Sequence, residues 1–201
     1  MRKKTDEKRE TIIAAASEVF REVGFERASM SDIRAKVGGS KATLYNYFSS
    51  KEELFLEVMM LSKKAQFDII HQAIDSTEGD IEDSLLQFGE KLLTFIYSSE
   101  ILSFRRLFIN EATRSNIGKS FYDRGKKQAD LLVAEFLKKN MDAGKLRQED
   151  PQIVTLHLLG LLESELIEYL YYNPALPLSA LKIKNATARA IDIFLRAYRK
   201  K

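Results

Sequence analysis

Apolar residues recur every three or four positions along most of this chain, and this spacing constrains the fold more than any other feature of the sequence. Ile12, Ala16 and Val19 show the pattern, and no stretch shows a sustained alternation of apolar and polar residues. A period near 3.6 places side chains on one face of an α-helix, whereas a half-buried strand needs a period of two. The spacing therefore predicts an all-α protein of about nine helices.

Capping and turn residues mark the ends of the predicted helices. Gly24 is a natural left-handed C-cap, Ser29 and Ser40 are N-caps, and Ser50 with Glu53 is predicted to form a capping box. After a first helix that ends at Gly24, helices are predicted over residues 29–37, 41–48, 51–74, 81–95, 102–112, 121–136, 151–172 and 181–198.

The lengths of these helices predict two unequal domains. Three short helices come first, and residues 1–50 are expected to form a small domain. The long helix 51–74 then leaves that domain and enters a larger one, which we expect to cover residues 51–201.

Composition limits the classes of protein that this chain can belong to. The sequence is 45% apolar and 30% charged, which is typical of a folded globular protein. It contains no cysteine, so disulfides, thiolate metal sites and a cysteine nucleophile are excluded. The amino end resembles no secretory signal, and the most apolar stretch, 153–172, carries His157 and three glutamates. We expect a soluble cytoplasmic protein without a membrane partner.

Positive charge is concentrated at the amino end. Residues 1–51 contain 11 lysines and arginines against 7 acids, and the rest of the chain contains 21 against 22. A basic end on an otherwise neutral chain predicts a polyanionic partner for that end. The alternative from charge alone is a solubilising tail.

The stretch "GGSKATLYNYFSSKEELF", residues 38–55, predicts a helix that fits the major groove of DNA. If Leu44 and Phe48 face the core, a helical wheel places a small, polar face outward. Such a face can approach base edges closely and form hydrogen bonds with them. The outward and flanking residues are Ala42, Thr43, Tyr45, Asn46 and Tyr47.

Lysines and hydroxyl groups around this helix are predicted to contact phosphates. They lie at the start of the helix, at the start of the next one and in the basic amino-terminal arm. The alternative is an ordinary polar surface helix, but the combination of caps, lysines and a basic arm favours DNA. The full predicted DNA-binding set is Arg2, Lys3, Lys4, Ser29, Ser31, Ser40, Lys41, Ala42, Thr43, Tyr45, Asn46, Tyr47 and Lys51.

The segment "ASMSDIRAKVGGSKATLYNYFSSKEELF" resembles the helix-turn-helix of the TetR family of transcriptional regulators, and the resemblance extends over residues 6–55. Two positions depart from the family pattern. Gly39 stands where valine is common, and Arg34 replaces a small residue. The later chain more weakly resembles the ligand-binding domains of the AcrR-like branch. The resemblance implies a homodimeric repressor of a near-palindromic DNA operator, released by a small-molecule effector.

The resemblance also implies where the effector and the second protomer bind. In the family, the last two helices form the dimer interface, which here suggests helix 151–172 and the stripe Leu181, Ala190, Ile191 and Phe194. The effector is expected to be hydrophobic or amphipathic and to bind among the middle helices. Ordinary core packing explains many aromatic residues equally well. The predicted pocket comprises Phe67, Phe88, Phe95, Phe104, Phe108, Phe121, Tyr122, Leu162, Glu165 and Tyr169.

Other chemistry has little support in the sequence. His71 and His157 are the only histidines, and neither lies in a metal-binding spacing. No nucleotide-binding or hydrolase motif occurs, so we expect no metal, no cofactor and no enzymatic activity. The remaining alternative is a helical ligand carrier or interaction module that does not bind DNA, for which Gly39 is the only motivation.

Overall fold

A computed structural model describes residues 2–74, 79–111, 119–120, 122–172 and 178–200, with the backbone alone at residues 2–5 and 111. In these ranges it contains α-helices and no strand, which confirms the all-α prediction. A π-helical turn, Tyr122–Lys126, leads into α7. The helices are α1 Arg2–Arg27, α2 Met30–Val37, α3 Lys41–Tyr47, α4 Lys51–Gln72, α5 Ile81–Ile96, α6 Ser99–Glu111, α7 Lys127–Asp142, α8 Pro151–Glu163, α9 Glu168–Tyr171 and α10 Ala180–Tyr198.

The chain divides into two compact units, Met1–Lys64 and Ala65–Lys201. The first unit contains α1, α2, α3 and the first part of α4. Apolar side chains from all four helices, from the segment between α1 and α2 and from the residue after α3 form its core: Ile12, Ile13, Ala16, Val19, Phe20, Ala28, Ile33, Leu44, Phe48, Leu54 and Val58.

Turns in the first unit occur where glycine and serine predict them. Gly24 interrupts α1 with φ 78° and ψ 162°, so the break is where we expected it but its backbone is not the left-handed helical cap. Ser29 and Asp32 form a reciprocal capping box at α2. Gly38 and Gly39 both have positive φ, 73° and 94°, a region that favours glycine. Gly39 therefore suits the turn between α2 and α3.

The predicted capping box at the start of α4 is only half right. The Glu53 amide does donate to the Ser50 hydroxyl oxygen, at 3.1 Å. The Glu53 carboxylate, however, accepts from the amide and the hydroxyl of Ser49, at 2.8 and 2.7 Å. The glutamate reaches back one residue further than predicted, because the chain enters α4 through a bend at residues 49 and 50.

The second unit is a bundle in which α8 packs against α7 and α10, and α10 also packs against α5. Its core includes Phe88, Leu137, Leu158 and Phe194, each at most 1% exposed. Side chains of α10 and α8 pack closely against α5 at Gly89. A methyl group there would lie 2.7 Å from Cγ2 of Thr187 and 2.8 Å from Cδ2 of Leu162.

Two helix predictions in the second unit need correction. The single helix predicted over 151–172 is two helices, because the hydrogen bonds tighten after Glu163, with the Leu166 amide donating to the Glu163 carbonyl at 2.9 Å. The apolar spacing continues through this change and so does not reveal it. The helix predicted over 121–136 begins as the π-helical turn and continues to Asp142, and Phe121 lies outside the described residues.

The predicted interface stripe on the last helix also needs correction. Ala190, Ile191 and Phe194 are at most 4% exposed and lie in the core of their own unit. Leu181, the fourth residue of the predicted stripe, is 67% exposed, and Ile193, which was not predicted, is 52% exposed. A helix in contact with neighbours on two sides has apolar positions on both faces, and the sequence alone does not distinguish them.

None of the helices in the described part of the chain combines the length and apolar character needed to cross a membrane.

Candidate nucleic-acid interface

The α3 helix has the orientation that the helical wheel predicts. Leu44 and Phe48 are 3% and 1% exposed and lie in the core of the first unit. Ala42 and Asn46, on the opposite face, are exposed, as is Tyr45. The small side chain and the amide therefore project to solvent from a helix anchored on its other side.

The start of α3 is held by its own side chains. The Ser40 hydroxyl oxygen accepts from the Thr43 amide at 3.0 Å and lies 2.9 Å from the Thr43 hydroxyl. Lys41 is exposed, with its ammonium 5.6 Å from the centroid of the Tyr45 ring. The Lys41 charge and the Tyr45 ring therefore lie together, at the side of the face that carries Ala42 and Asn46.

Other predicted DNA-binding residues have different surroundings. Ser31 is exposed on the first turn of α2, whereas half-buried Ser29 caps that helix. Tyr47 is half-buried and packs against the core of the first unit. The side chains of the basic arm, Arg2, Lys3 and Lys4, lie outside the described residues.

Lys51 does not point outward. Its ammonium donates to the carbonyl oxygens of Phe25 and Glu26, at 2.9 and 3.4 Å, and lies 4.2 Å from the centroid of the Phe25 ring. The sequence placed Lys51 with the phosphate contacts. In the structure it joins the start of α4 to the end of α1.

One ion pair that supports α3 was missed in the sequence. Arg9 of α1 pairs with Glu57 of α4, whose side chain is 6% exposed, and the Arg9 guanidinium lies 5.2 Å from the centroid of the Phe48 ring. Phe48 ends α3. A single acid within the apolar run 54–60 could have indicated that Glu57 is buried and has a cationic partner.

A second ion-pair cluster joins α1 and α2 at the surface. Lys36 lies 2.8 Å from Glu18 and 2.7 Å from Glu22. The hydrogen bonds that Lys36 donates to Glu18 and Glu22 raise the pKa of Lys36, and the one to Glu18 lowers the pKa of Glu18. Lys36 therefore already has two anionic partners.

Comparison with known proteins agrees with this geometry. The model "Bacterial regulatory proteins, tetR family" matches residues 12–58, and the model "AefR-like transcriptional repressor, C-terminal domain" matches residues 83–200. The chain belongs to the TetR family of transcriptional regulators. The match over residues 12–58 covers α2, α3 and parts of α1 and α4, and the predicted family is confirmed.

Individual transcriptional regulators are similar over about half to three quarters of this chain. The HTH-type transcriptional regulator YfiR of Bacillus subtilis is 27% identical over 158 residues, 73% of this chain and 71% of YfiR. The HTH-type transcriptional activator FasR of Mycolicibacterium smegmatis is 35% identical over 106 residues, 53% of this chain and 48% of FasR.

Two solved structures share the fold. A TetR-family regulator from Mesorhizobium loti superposes with a TM-score of 0.81 at 28% identity, covering 97% of this chain and 98% of that chain. The flavonoid-responsive regulator FrrA superposes with a TM-score of 0.71 at 27% identity, covering 96% and 98%.

The predicted effector-pocket residues of this TetR-family chain do not share one environment. Phe88, Leu162 and Tyr169 belong to the core of the second unit, and Phe95 packs against that core. Phe104 and Phe108 are buried with ring centroids 4.5 Å apart, and half-buried Phe67 stacks 4.0 Å from His71. Tyr122 is 49% exposed, and Phe121 lies outside the described residues.

Glu165, the acid in the predicted pocket, is exposed. Its two carboxylate oxygens accept from Nε and Nη2 of Arg189, at 2.8 and 2.5 Å. This hydrogen bonding by Arg189 lowers the pKa of Glu165. The pair joins the segment after α8 to α10, which accounts for the acid without a ligand.

A polar cluster between α5, α6 and α8 was not predicted. The Glu163 carboxylate accepts from Arg105 at 2.6 Å and from the Tyr97 hydroxyl at 3.1 Å. Burial, together with the negative charge of Glu163, raises the pKa of Tyr97 well above its ordinary value. Arg106 donates to the carbonyl oxygens of Tyr169, Leu170 and Tyr172 at the end of α9.

Neither histidine belongs to a metal cluster in the part of the chain that the structure describes, where no group of three or more His, Asp or Glu side chains could hold an ion. Nδ1 of His71 is bonded to the Phe67 carbonyl oxygen at 2.8 Å, and Nδ1 of His157 to the Tyr198 hydroxyl.

Proposed function

We propose that this TetR-family regulator represses transcription as a homodimer that binds a near-palindromic operator and is released by a small molecule. Residues 1–50 would bind DNA, and residues 51–201 would bind the effector and the second protomer. The observation that carries the proposal is the anchored α3 helix, which exposes Asn46 and Ala42 opposite buried Leu44 and Phe48.

Within this proposal the residues of α3 have separate roles. The Asn46 amide would bond an adenine edge in the major groove, and the small Ala42 side chain would leave room for a thymine methyl group. Exposed Lys41 and Tyr45, at the side of the same face, would bind phosphates and fix the register of α3 on the duplex.

The exposed apolar surface of the second unit supports dimerisation. Ile153 and Leu156 of α8 are 50% and 53% exposed, although the same helix buries Val154, Leu158 and Leu162. Together with Leu181 and Ile193 of α10 they provide apolar side chains that a second protomer would cover. A two-fold dimer would present two α3 helices to successive major-groove sites.

Similar proteins support the direction of regulation and the effector class. The match to an AefR-like repressor domain, residues 83–200, favours repression. FasR, which matches about half of this chain, is an activator, so the sign of the effect needs its own measurement. FrrA is flavonoid-responsive, in keeping with a small hydrophobic or amphipathic effector.

Gly39 no longer favours a carrier that does not bind DNA. Its φ of 94° lies in the region that favours glycine, so the residue suits the turn that it occupies. No other feature of the first unit motivates that alternative.

The decisive experiment is DNA binding by the purified protein. The region upstream of its own gene would be divided into overlapping fluorescent duplexes, with shuffled duplexes of equal composition as controls. We expect one near-palindromic duplex to bind at least about a thousandfold more tightly than its shuffled control. Equal affinity for all duplexes would contradict a sequence-specific regulator.

The direction of regulation is measured in a transcription reaction from the promoter that contains this duplex. Added protein should lower the yield of transcript, whereas the same promoter with a shuffled duplex should be unaffected. A rise in transcript would identify an activator and overturn the repressor assignment.

A further inference from the structure

A cleft of about 310 Å³ lies between α7 and the part of α4 that belongs to the second unit. This volume is at the lower end of the range for small-molecule sites. Its lining contains none of the predicted pocket residues. The cleft is lined by Asp68, His71 and Gln72 from α4, by Ile74 just after α4, and by Leu132, Glu135, Phe136 and Lys139 from α7.

The lining separates into an apolar part and a polar part. Ile74 and Phe136 are each 3% exposed and form the floor, with Leu132 beside them at 43%. The carboxylates of Asp68 and Glu135 are on exposed residues of the two opposing helices. A ligand in this cleft therefore meets both apolar carbon and carboxylate oxygen.

His71 adds a hydrogen-bond acceptor to the polar part. Its Nδ1 lies 2.8 Å from the Phe67 carbonyl oxygen, and because a carbonyl only accepts, Nδ1 carries the proton. In the neutral imidazole, Nε2 is then an acceptor. A carboxylate can accept several hydrogen bonds, so Asp68 and Glu135 can each accept from a ligand beside their existing partners, and with His71 this gives three acceptor groups.

Lys139 is the cation in this lining. Its ammonium lies 3.3 Å from Oε1 of Glu135, one turn away on α7. An exposed pair of this kind contributes little to stability, so another ammonium group can replace Lys139 at the carboxylate at small cost.

We propose that this cleft binds a small protonated organic amine with an apolar body. The ammonium would lie between Asp68 and Glu135 and donate to them and to His71, and the apolar body would pack on Leu132 and Phe136. The inference deepens the proposed function. It rests on that function only for the claim that the amine acts as the effector. It narrows the expected amphipathic effector to a cationic one.

The test is calorimetric titration of the purified protein without DNA, so a failure to bind DNA cannot affect it. The probes are 3-phenylpropan-1-amine, 3-phenylpropan-1-ol and 3-phenylpropanoate, which share a body and differ in the polar group. At pH 7 we expect the amine to bind about tenfold more tightly than the alcohol, and the carboxylate to bind most weakly.

Variants locate the site. Asp68→Asn and Glu135→Gln should each weaken amine binding about tenfold, whereas Asp142→Asn, on the same helix but outside the cleft, should not. Lys139→Met should strengthen amine binding several-fold because it removes a competing cation. The control variant is Lys138→Met, because Lys138 pairs with Asp142 and does not line the cleft.

The proposal would be overturned if the carboxylate binds as tightly as the amine, if Lys139→Met weakens amine binding, or if the amine shows no binding at about 1 mM, near the weak limit for such probes. Circular dichroism of each variant checks that the helices remain folded.

Discussion

The ammonium of Lys51 donates a hydrogen bond to the carbonyl oxygen of Phe25 at 2.9 Å, which joins the start of α4 to the end of α1. The last carbonyl groups of a helix lack partners within that helix, so a lysine from another helix can satisfy them. The Phe25 ring, 4.2 Å from the ammonium, adds a cation–π contact. Lys51 thus stabilises the unit that carries α3.

Replacing Lys51 by Met should lower the free energy of unfolding by about 1 to 2 kcal/mol, because Phe25 and Glu26 lose their partner. Lys41→Met, which removes an exposed charge from α3, should change stability little and weaken binding to all duplexes alike. Urea unfolding and fluorescence anisotropy measure the two effects. If Lys51→Met unfolds like the wild type yet loses DNA affinity, Lys51 is a phosphate contact, as the sequence suggested.

The contrast between these lysines shows how far sequence reasoning reaches. The wheel placed Asn46 and Ala42 correctly, because a helix anchored by Leu44 and Phe48 has only one outward face. The direction of Lys51 depends on the end of α1, 25 residues away, and no local pattern encodes that contact.

The second unit shows the same limit. Periodicity predicted its helices, but it identified neither which apolar face is internal, as at Phe194, nor where hydrogen bonds tighten after Glu163. The pocket prediction relied on aromatic residues, most of which the core requires. The cleft between α4 and α7 is lined mainly by polar residues from two distant segments, whose proximity only the fold determines.

A charge in the exposed apolar face of α8 should prevent dimerisation. Leu156, at 53% exposure, contributes little to the core of its own chain, so Leu156→Glu should yield a folded monomer. Leu61→Glu is the control, since Leu61 is 55% exposed but lies on α4. Sedimentation velocity at micromolar concentration gives the masses. A dimeric Leu156→Glu protein, or a monomeric wild type, would rule out this interface.

The Thr187 hydroxyl gives a stabilising substitution. Thr187 is fully buried, and its Oγ1 has no hydrogen-bond partner among the described residues. Thr187→Val keeps the shape and removes the unpaired polar atom, so it should raise the free energy of unfolding by about 1 kcal/mol.

Thr155→Val is the matched control for Thr187→Val. Thr155 is equally buried, but its hydroxyl donates to the Pro151 carbonyl oxygen at 2.8 Å. Its replacement should lower stability, and chemical unfolding compares the two variants. Equal effects at both positions would show that the unpaired hydroxyl is not what distinguishes Thr187.

Tyr97 should give stability a specific dependence on alkaline pH. The pKa of Tyr97 is raised in the folded protein by burial and by Glu163, so the unfolded chain loses this proton first as pH rises. The stabilisation that protonated Tyr97 gives the folded protein is complete below the ordinary tyrosine pKa of about 10 and is progressively lost above it.

Tyr97→Phe isolates this contribution. At neutral pH the Tyr97→Phe protein should be about 1 kcal/mol less stable than the wild type, because the hydrogen bond to Glu163 is lost. The deficit should shrink as pH rises from about 9 to 11, since only the wild type loses this contribution. Urea unfolding across that range provides the comparison, and a deficit that stays constant would disprove the assignment.

The central claim, that the outer face of α3 recognises bases, is tested most directly by titrating wild type and Asn46→Ala with the operator duplex and its shuffled control at one salt concentration. We predict that Asn46→Ala loses about 1 to 3 kcal/mol on the operator, with almost no change on the shuffled duplex. Lys41→Ala is the comparison, since loss of a phosphate contact should weaken both complexes. If Asn46→Ala weakens both duplexes equally, Asn46 does not recognise a base and the proposed orientation of α3 on DNA is wrong.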